Sequence, residues 1–239
     1  MSAGVEAVVF DWGGTLTPWV TMDFHAGWRT YADILHADDP DRARVVATAL
    51  AEADTGRWNA VKDGAKAFHM AEVLADAAVD TGSELHGQAL EAYREFWVQA
   101  THTDPEAAPM LAALRERGLK LGVLSSTMWP GEWHEEWLRR DGVLEYFDGV
   151  TWSSDLEYTK PHPEAFEAAL AAVGATDPTR CVYVGDRPYD DISGAKAIGM
   201  RAVLVPHSDI PEGQRVPVDV SPDGVIQRLS DLPGLLQDW

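Results

Sequence analysis

The sequence predicts an α/β protein: a doubly wound, Rossmann-like parallel sheet with an all-helical cap inserted near its N-terminus. Three observations lead there. Short apolar, β-branched runs recur at residues 5–10, 119–124, 180–184 and 201–205, and each ends in small, polar or acidic residues. Helical patterns separate the later runs, which is the strand-helix alternation of a parallel sheet. Between the first run and the second, residues 21–101 read as helix throughout, and such a stretch cannot be woven into the sheet. The expected division is a core of residues 1–17 and 100–239 and a cap of residues 18–99.

Taken in order, residues 5–10 form a buried strand that stops at Asp11-Trp12-Gly13-Gly14-Thr15, a turn loosened by glycine. Phe24, Trp28, Tyr31 and Leu35 then share one helical face, followed by an Ala-rich stretch at 45–53 and by Leu90, Tyr93, Phe96 and Trp97. Asp104-Pro105-Glu106 supplies an N-cap, a proline at the first helical position and an acidic first turn, and Gly118 closes that helix. Strand 119–124 runs into Ser125-Ser126-Thr127. Trp129, Trp133 and Trp137 recur every four residues, a single aromatic stripe on a helix that suits core packing or a partner surface. A short strand at 147–152, a helix at 163–173 ended by Gly174, and strand 180–184 ending in Gly185-Asp186 follow. The chain closes with a small-residue helix at 191–198, a strand at 201–205, a loop and a segment at 225–236.

Composition narrows the partners. Of 239 residues, 46% are hydrophobic and 24% charged, the proportions of a folded globular domain. A formal charge of -20 repels phosphate backbones and anionic lipid, which argues against nucleic acid and membrane as partners. The apolar run at the N-terminus is too short for a signal peptide, and no window has the length of a membrane span, so a cytoplasmic location is expected. Cys181 is the sole cysteine, which excludes an intrachain disulfide and a cysteine-based zinc site. Whether the chain is a monomer or a homodimer is left open.

In an open parallel sheet, ligands sit beyond the carboxyl ends of the strands, where this sequence places Asp11, Ser125 and Gly185-Asp186. Two carboxylates converging there repel unless a hard cation neutralises them, a need that Mg²⁺ meets with few protein ligands and several waters.

The stretch Val8-Val9-Phe10-Asp11-Trp12-Gly13-Gly14-Thr15-Leu16 resembles the first motif of the haloacid dehalogenase-like hydrolase superfamily, most of whose members are Mg²⁺-dependent phosphatases. Residues 121–125 resemble the second motif, Lys160-Pro161-His162-Pro163-Glu164-Ala165-Phe166 the third, and Gly185-Asp186-Arg187-Pro188-Tyr189-Asp190-Asp191 the fourth. The resemblance implies an aspartyl-phosphate formed on Asp11, with Mg²⁺ held by Asp11, Asp186 and the main-chain carbonyl of Gly13. It implies further that Ser125 binds the transferring phosphoryl group, that Lys160 offsets its charge, and that Thr15 assists. Asp190 and Asp191 would orient Mg²⁺ waters or Lys160. Gly14, Ser126, Trp28 and His25 are the candidate contacts to a small, anionic, phosphorylated metabolite.

One departure matters. Phosphatases of this family usually carry a second aspartate two residues after the nucleophile, as general acid and base, and here that position is Gly13. Asp23, His25 and His69 are the candidate substitutes. Two alternatives stay open: a phosphonatase-like enzyme with Lys62 or Lys66 as Schiff base, and a pseudo-hydrolase that binds without turnover.

Overall fold

The computed structural model describes residues 4–206, 208 and 215–239. Residues 207 and 209–214, part of the loop expected after the 201–205 strand, lie outside the described residues.

Six parallel strands make one sheet. They are β1 (Ala7–Phe10), β2 (Lys120–Ser125), β3 (Gly149–Trp152), β4 (Cys181–Gly185), β5 (Arg201–Leu204) and β6 (Gly224–Val225), in the spatial order β3-β2-β1-β4-β5-β6. The first strand in sequence is therefore central, with Val8 opposite Leu121 on one side and Val182 on the other. Side chains alternate across the sheet with period two, and the burial follows. Val8, Phe10, Leu121, Val123, Val182 and Val184 pack one face against α5 (Ala107–Glu116) and α6 (Gly131–Arg140). Ala7, Val9, Leu124, Cys181 and Tyr183 pack the other against α7 (Pro163–Ala172) and the short α8 (Gly194–Ala197). Helices on both faces are what make a parallel sheet buried and its strands apolar throughout.

Residues 24–97 contribute α1 (Phe24–Leu35), α2 (Pro40–Val61), α3 (Met70–Asp76) and α4 (His86–Trp97), and none of the six strands. Their apolar faces meet in a third cluster that includes Trp28, Tyr31, Leu50, Val73 and Tyr93. This helical layer is fastened to the sheet layer at four places. Lys66 and Tyr158 form an antiparallel bridge, flanked by Ala67 N–H to Glu157 O (2.9 Å) and Thr159 N–H to Ala65 O (2.7 Å). Met70 N–H donates to Met128 O at 2.9 Å. The Trp129 indole donates to Tyr93 Oη at 3.3 Å, and Arg94 pairs with Glu136 while lying over the rings of Trp133 and Trp137.

The local expectations need three corrections. The tryptophan stripe is not a single helical face, because α6 starts only after Pro130; Trp129 sits in the preceding turn, while Trp133 and Trp137 lie on the helix. The expected helix at 191–198 opens instead with a π-helical turn, Pro188–Ser193, in which Asp191 N–H and Ile192 N–H both donate to Arg187 O. The closing segment divides into β6, a 3₁₀ turn at Leu229–Asp231 and α9 (Leu232–Leu235).

Candidate active site

Asp11 follows β1 directly and extends its ladder, donating its N–H to Val184 O at 2.9 Å. The chain then folds into a tight loop in which Trp12 O accepts from Thr17 N–H (2.9 Å) and the Thr17 hydroxyl (3.2 Å), and Gly14 N–H donates to Thr17 O (2.9 Å). Gly14 needs its missing side chain twice over: its φ is +87°, and a Cβ would come within 2.7 Å of an Asp186 carboxylate oxygen.

Lys160 enters from the loop before α7 and is 3% exposed. Its ammonium spends all three protons, on Asp11 Oδ1 (2.7 Å), Asp191 Oδ1 (2.7 Å) and Tyr183 Oη (3.0 Å). Burial works against its charge, but Asp11 and Asp191 outweigh that and raise its pKa. The Tyr183 hydroxyl donates onward to Leu124 O at 2.9 Å, so β2, β4 and the lysine are locked together. Asp191 spends its second oxygen on Arg187 N–H at 2.9 Å, and it fits beside β4 only because Gly185 has no Cβ, which would lie 2.4 Å from the Asp191 carboxyl.

Carboxylate oxygens of Asp11, Asp186 and Asp191 all lie within 4.8 Å of one another, buried. Asp191 is fully engaged by Lys160 and Arg187, whereas among the described residues no hydrogen-bond partner meets the distance and angle limits for the buried Asp186 Oδ2, and Thr15 reaches only its Oδ1, at 3.5 Å. Burial, then the charges of Asp11 and Asp191, push the Asp186 carboxyl well above the ordinary range. Burial also pushes Asp191 up to about 6, with Lys160 pulling the other way. Lys160 pairs with both Asp11 and Asp191 and Arg187 lies 3.7 Å from Asp190, so the carboxylates of Asp11, Asp186, Asp190 and Asp191 outnumber these two cations. An orphaned carboxylate oxygen and a charge deficit of this size fit a divalent cation.

Ser125 ends β2 and is buried; Ser126 accepts from the Thr159 hydroxyl at 2.6 Å, tying this loop to the one that carries Lys160. Thr127 is held by Ser153 through its N–H (2.8 Å) and carbonyl (3.0 Å), and its hydroxyl lies 3.0 Å from Nε2 of His134. Burial drives His134 down to about 3, so the ring is neutral.

Other expected residues do not join this cluster. Trp28 is fully buried inside the helical layer, stacked near Tyr93, with its indole donating to Asp54 Oδ2 at 2.9 Å; its face of α1 packs against helices and not over Asp11. His25 is exposed, 3.2 Å from the Thr48 hydroxyl, in a groove of about 440 Å³ whose lining comes only from α1 and α2. Asp23 caps α1 through Ala26 N–H, and His69 caps α3, its N–H donating to Glu72. Lys62 and Lys66 are exposed. Asp190 faces Arg187 at 3.7 Å and not Lys160. Sequence reasoning missed Tyr183, Thr159, Ser153 and Arg187; of these only Tyr183 left a signal, a hydroxyl on the strand that delivers Asp186.

A buried carboxylate, Asp11, is thus fixed by a buried lysine beside a second carboxylate, Asp186. A family model described as haloacid dehalogenase-like hydrolase matches residues 5–199. The chain belongs to the haloacid dehalogenase-like hydrolase family. Within it, the chain is 31% identical to a glyceraldehyde 3-phosphate phosphatase of Methanopyrus kandleri over 71% of its own length and 72% of the relative's. It is 36% identical to a phosphoserine phosphatase of Thermus thermophilus, over 50% of its own length and 45% of that protein. Among solved structures, it resembles a 2-haloacid dehalogenase from Pseudomonas syringae, 28% identical, with a TM-score of 0.67 covering 98% and 99% of the two chains. Haloacid dehalogenase-like hydrolases are enzymes, and this one has their α/β core.

Proposed function

We propose that the protein is a Mg²⁺-dependent phosphatase acting on a small phosphorylated metabolite through an aspartyl-phosphate, with residues 18–99 as the cap over a core of residues 1–17 and 100–239. The observation that carries the reading is the buried pair Asp11–Lys160 beside the unpartnered oxygen of Asp186. Phosphatase names among the relatives support it.

In this reading Asp11, Asp186 and the Gly13 carbonyl hold Mg²⁺, which when bound neutralises the excess charge and lets an anionic phosphoryl group approach a carboxylate. Lys160 pins Asp11 Oδ1 and so sets the rotation of the carboxylate before attack. A carboxylate oxygen of Asp11 attacks phosphorus and the bond to the leaving oxygen breaks with its electron pair, the leaving oxygen taking a proton from solvent because no acid stands at Gly13; water then gives a proton to solvent as it attacks the same phosphorus, breaks the bond to Asp11 and releases phosphate. Ser125 and backbone N–H groups near it bind the phosphoryl oxygens, while Asp191 keeps Lys160 charged and in place. Thr15 steadies Asp186.

Phosphate release from para-nitrophenyl phosphate and a panel of sugar and hydroxy-acid phosphates tests this. Turnover is expected with Mg²⁺, none with EDTA, and none in a folded Asp11→Asn variant; activity retained by that variant would overturn the reading. The whole-chain likeness to a dehalogenase favours a second reading, attack of Asp11 on a carbon bearing halide, which needs no cation. Chloride release from chloropropionate in EDTA separates the two. Borohydride trapping of a carbonyl phosphonate is expected to fail, because Lys62 and Lys66 are exposed.

A further inference from the structure

Arg187 is a charged side chain at the edge of the site to which the mechanism gives no task. It directly follows Asp186, and its guanidinium lies 5.7 Å from the ring centroid of Trp19, in the segment between the β1 loop and α1. Among the described residues, the one carboxylate within 4.0 Å of it is Asp190, at 3.7 Å, too long for a hydrogen bond. The indole N–H of Trp19 is buried and has no acceptor among the described residues, although a buried indole N–H ordinarily finds one. Arg187 also lines a pocket of about 290 Å³ with Asp186, Tyr189, Asp190, Leu204 and Arg215, bringing a second arginine to the same side of the metal-binding carboxylates. The lining balances two carboxylates, Asp186 and Asp190, with two arginines, and in a chain with a formal charge of -20 the Arg187 guanidinium beside the reaction centre is a place for negative charge.

We propose that Arg187, backed by Trp19, is a specificity-determining residue that reads a second anionic group on the phosphorylated substrate, a carboxylate or a second phosphate. The inference rests on the phosphatase reading of the same site. A guanidinium suits either group, because its fork of N–H donors pairs two oxygens at once. The contact lies outside the bonds that form and break, so it acts on which phosphate ester enters and how it is oriented.

The test compares phosphoglycolate, inorganic pyrophosphate and glycerol phosphate, which carry a carboxylate, a phosphate or no charge beyond the reacting phosphoryl group. Affinities are read by calorimetry with Ca²⁺ replacing Mg²⁺ to suppress turnover, alongside kcat and KM with Mg²⁺. The wild type is expected to bind phosphoglycolate, pyrophosphate or both about 10- to 100-fold more tightly than glycerol phosphate, as one charge-assisted pair allows. Preference for only one of them identifies the second group. Arg187→Met should erase the preference, chiefly through KM, and Arg187→Lys should retain part of it. Trp19→Phe, which removes the indole N–H and shortens the aromatic face behind the guanidinium, should reduce it by about threefold, and keeps the test intact if the arginine variants do not fold. Equal affinity for all three compounds in the wild type, or equal losses on all three in Arg187→Met, would overturn the inference. If none of the three binds, the phosphatase reading falls as well.

Discussion

Among the described residues other than its two chain neighbours, no atom lies within 4 Å of a Cβ at Gly13, and φ is outside the left-handed region that makes the next residue, Gly14, irreplaceable. Gly13→Asp is therefore expected to fold and to place a proton donor beside the nucleophile, raising kcat/KM on alkyl phosphate esters by up to about 10²–10⁴-fold. Acyl phosphates, whose leaving groups need little protonation, should gain far less. A uniform loss on both substrate types would show that the small residue is required. Asp54 offers a second test, away from the reaction centre. Burial in the helical layer pushes its carboxyl from 3.8 up to about 6, against the lowering influence of the Trp28 indole. The fold thus holds this proton more tightly than the unfolded chain does, a stabilisation complete below about pH 4 and lost as pH rises through about 6. Up to about 3 kcal/mol is at stake. The melting temperature of Asp54→Asn relative to wild type should climb between about pH 4 and 6 and level off above that; a constant difference would contradict the assignment. Asp11, Ser125 and Asp186 were legible in the sequence because each stands at the end of a buried strand, and Lys160 through its motif. Trp28 was legible only as inward-facing, since periodicity does not distinguish packing between helices from facing a cleft. Asp54, between Ala53 and Thr55, carries no sequence signal of its burial.

Strands and helices were readable to within a few residues where their ends carry glycine or proline, as at Gly118 and Gly174. The π-helical turn was not, because its reason is tertiary: it delivers Asp191 to Lys160 and to Arg187 N–H together. The main-chain contacts between the helical and sheet layers, at Ala65, Ala67 and Met70, were equally invisible, because loop backbone groups leave no mark in the sequence. The Lys66–Tyr158 bridge lies two residues before Lys160, so any displacement of α3 from the sheet would pull on the segment that positions the lysine. Amide exchange at Ala67, Met70 and Thr159 is expected to be slow and concerted, as in one cooperative unit. Fast, independent exchange at these positions would describe a freely hinged cap.

For the molecule as a whole, the buried acidic cluster is a burden that a cation relieves. Mg²⁺ that binds only the folded protein should stabilise it by mass action, by about 2.7 kcal/mol at a hundredfold excess over Kd, and so raise the melting temperature. Asp186→Asn should be more stable than the wild type without metal, because it removes a buried like charge, and should gain nothing from Mg²⁺. A wild type indifferent to Mg²⁺ would remove the metal from the mechanism. The strand order carries a different consequence. β1, emerging first from a ribosome, occupies the middle of the sheet, and its two neighbours begin at Lys120 and Cys181. The nascent strand must wait, unpaired and wholly apolar, while α1 to α4 are synthesised and can pack among themselves. Closing that long loop is entropically slow. Stalled chains that end before Cys181 should therefore show a protease-resistant helical layer and a protease-sensitive N-terminus, and should recruit chaperones through the segment that later holds Asp11.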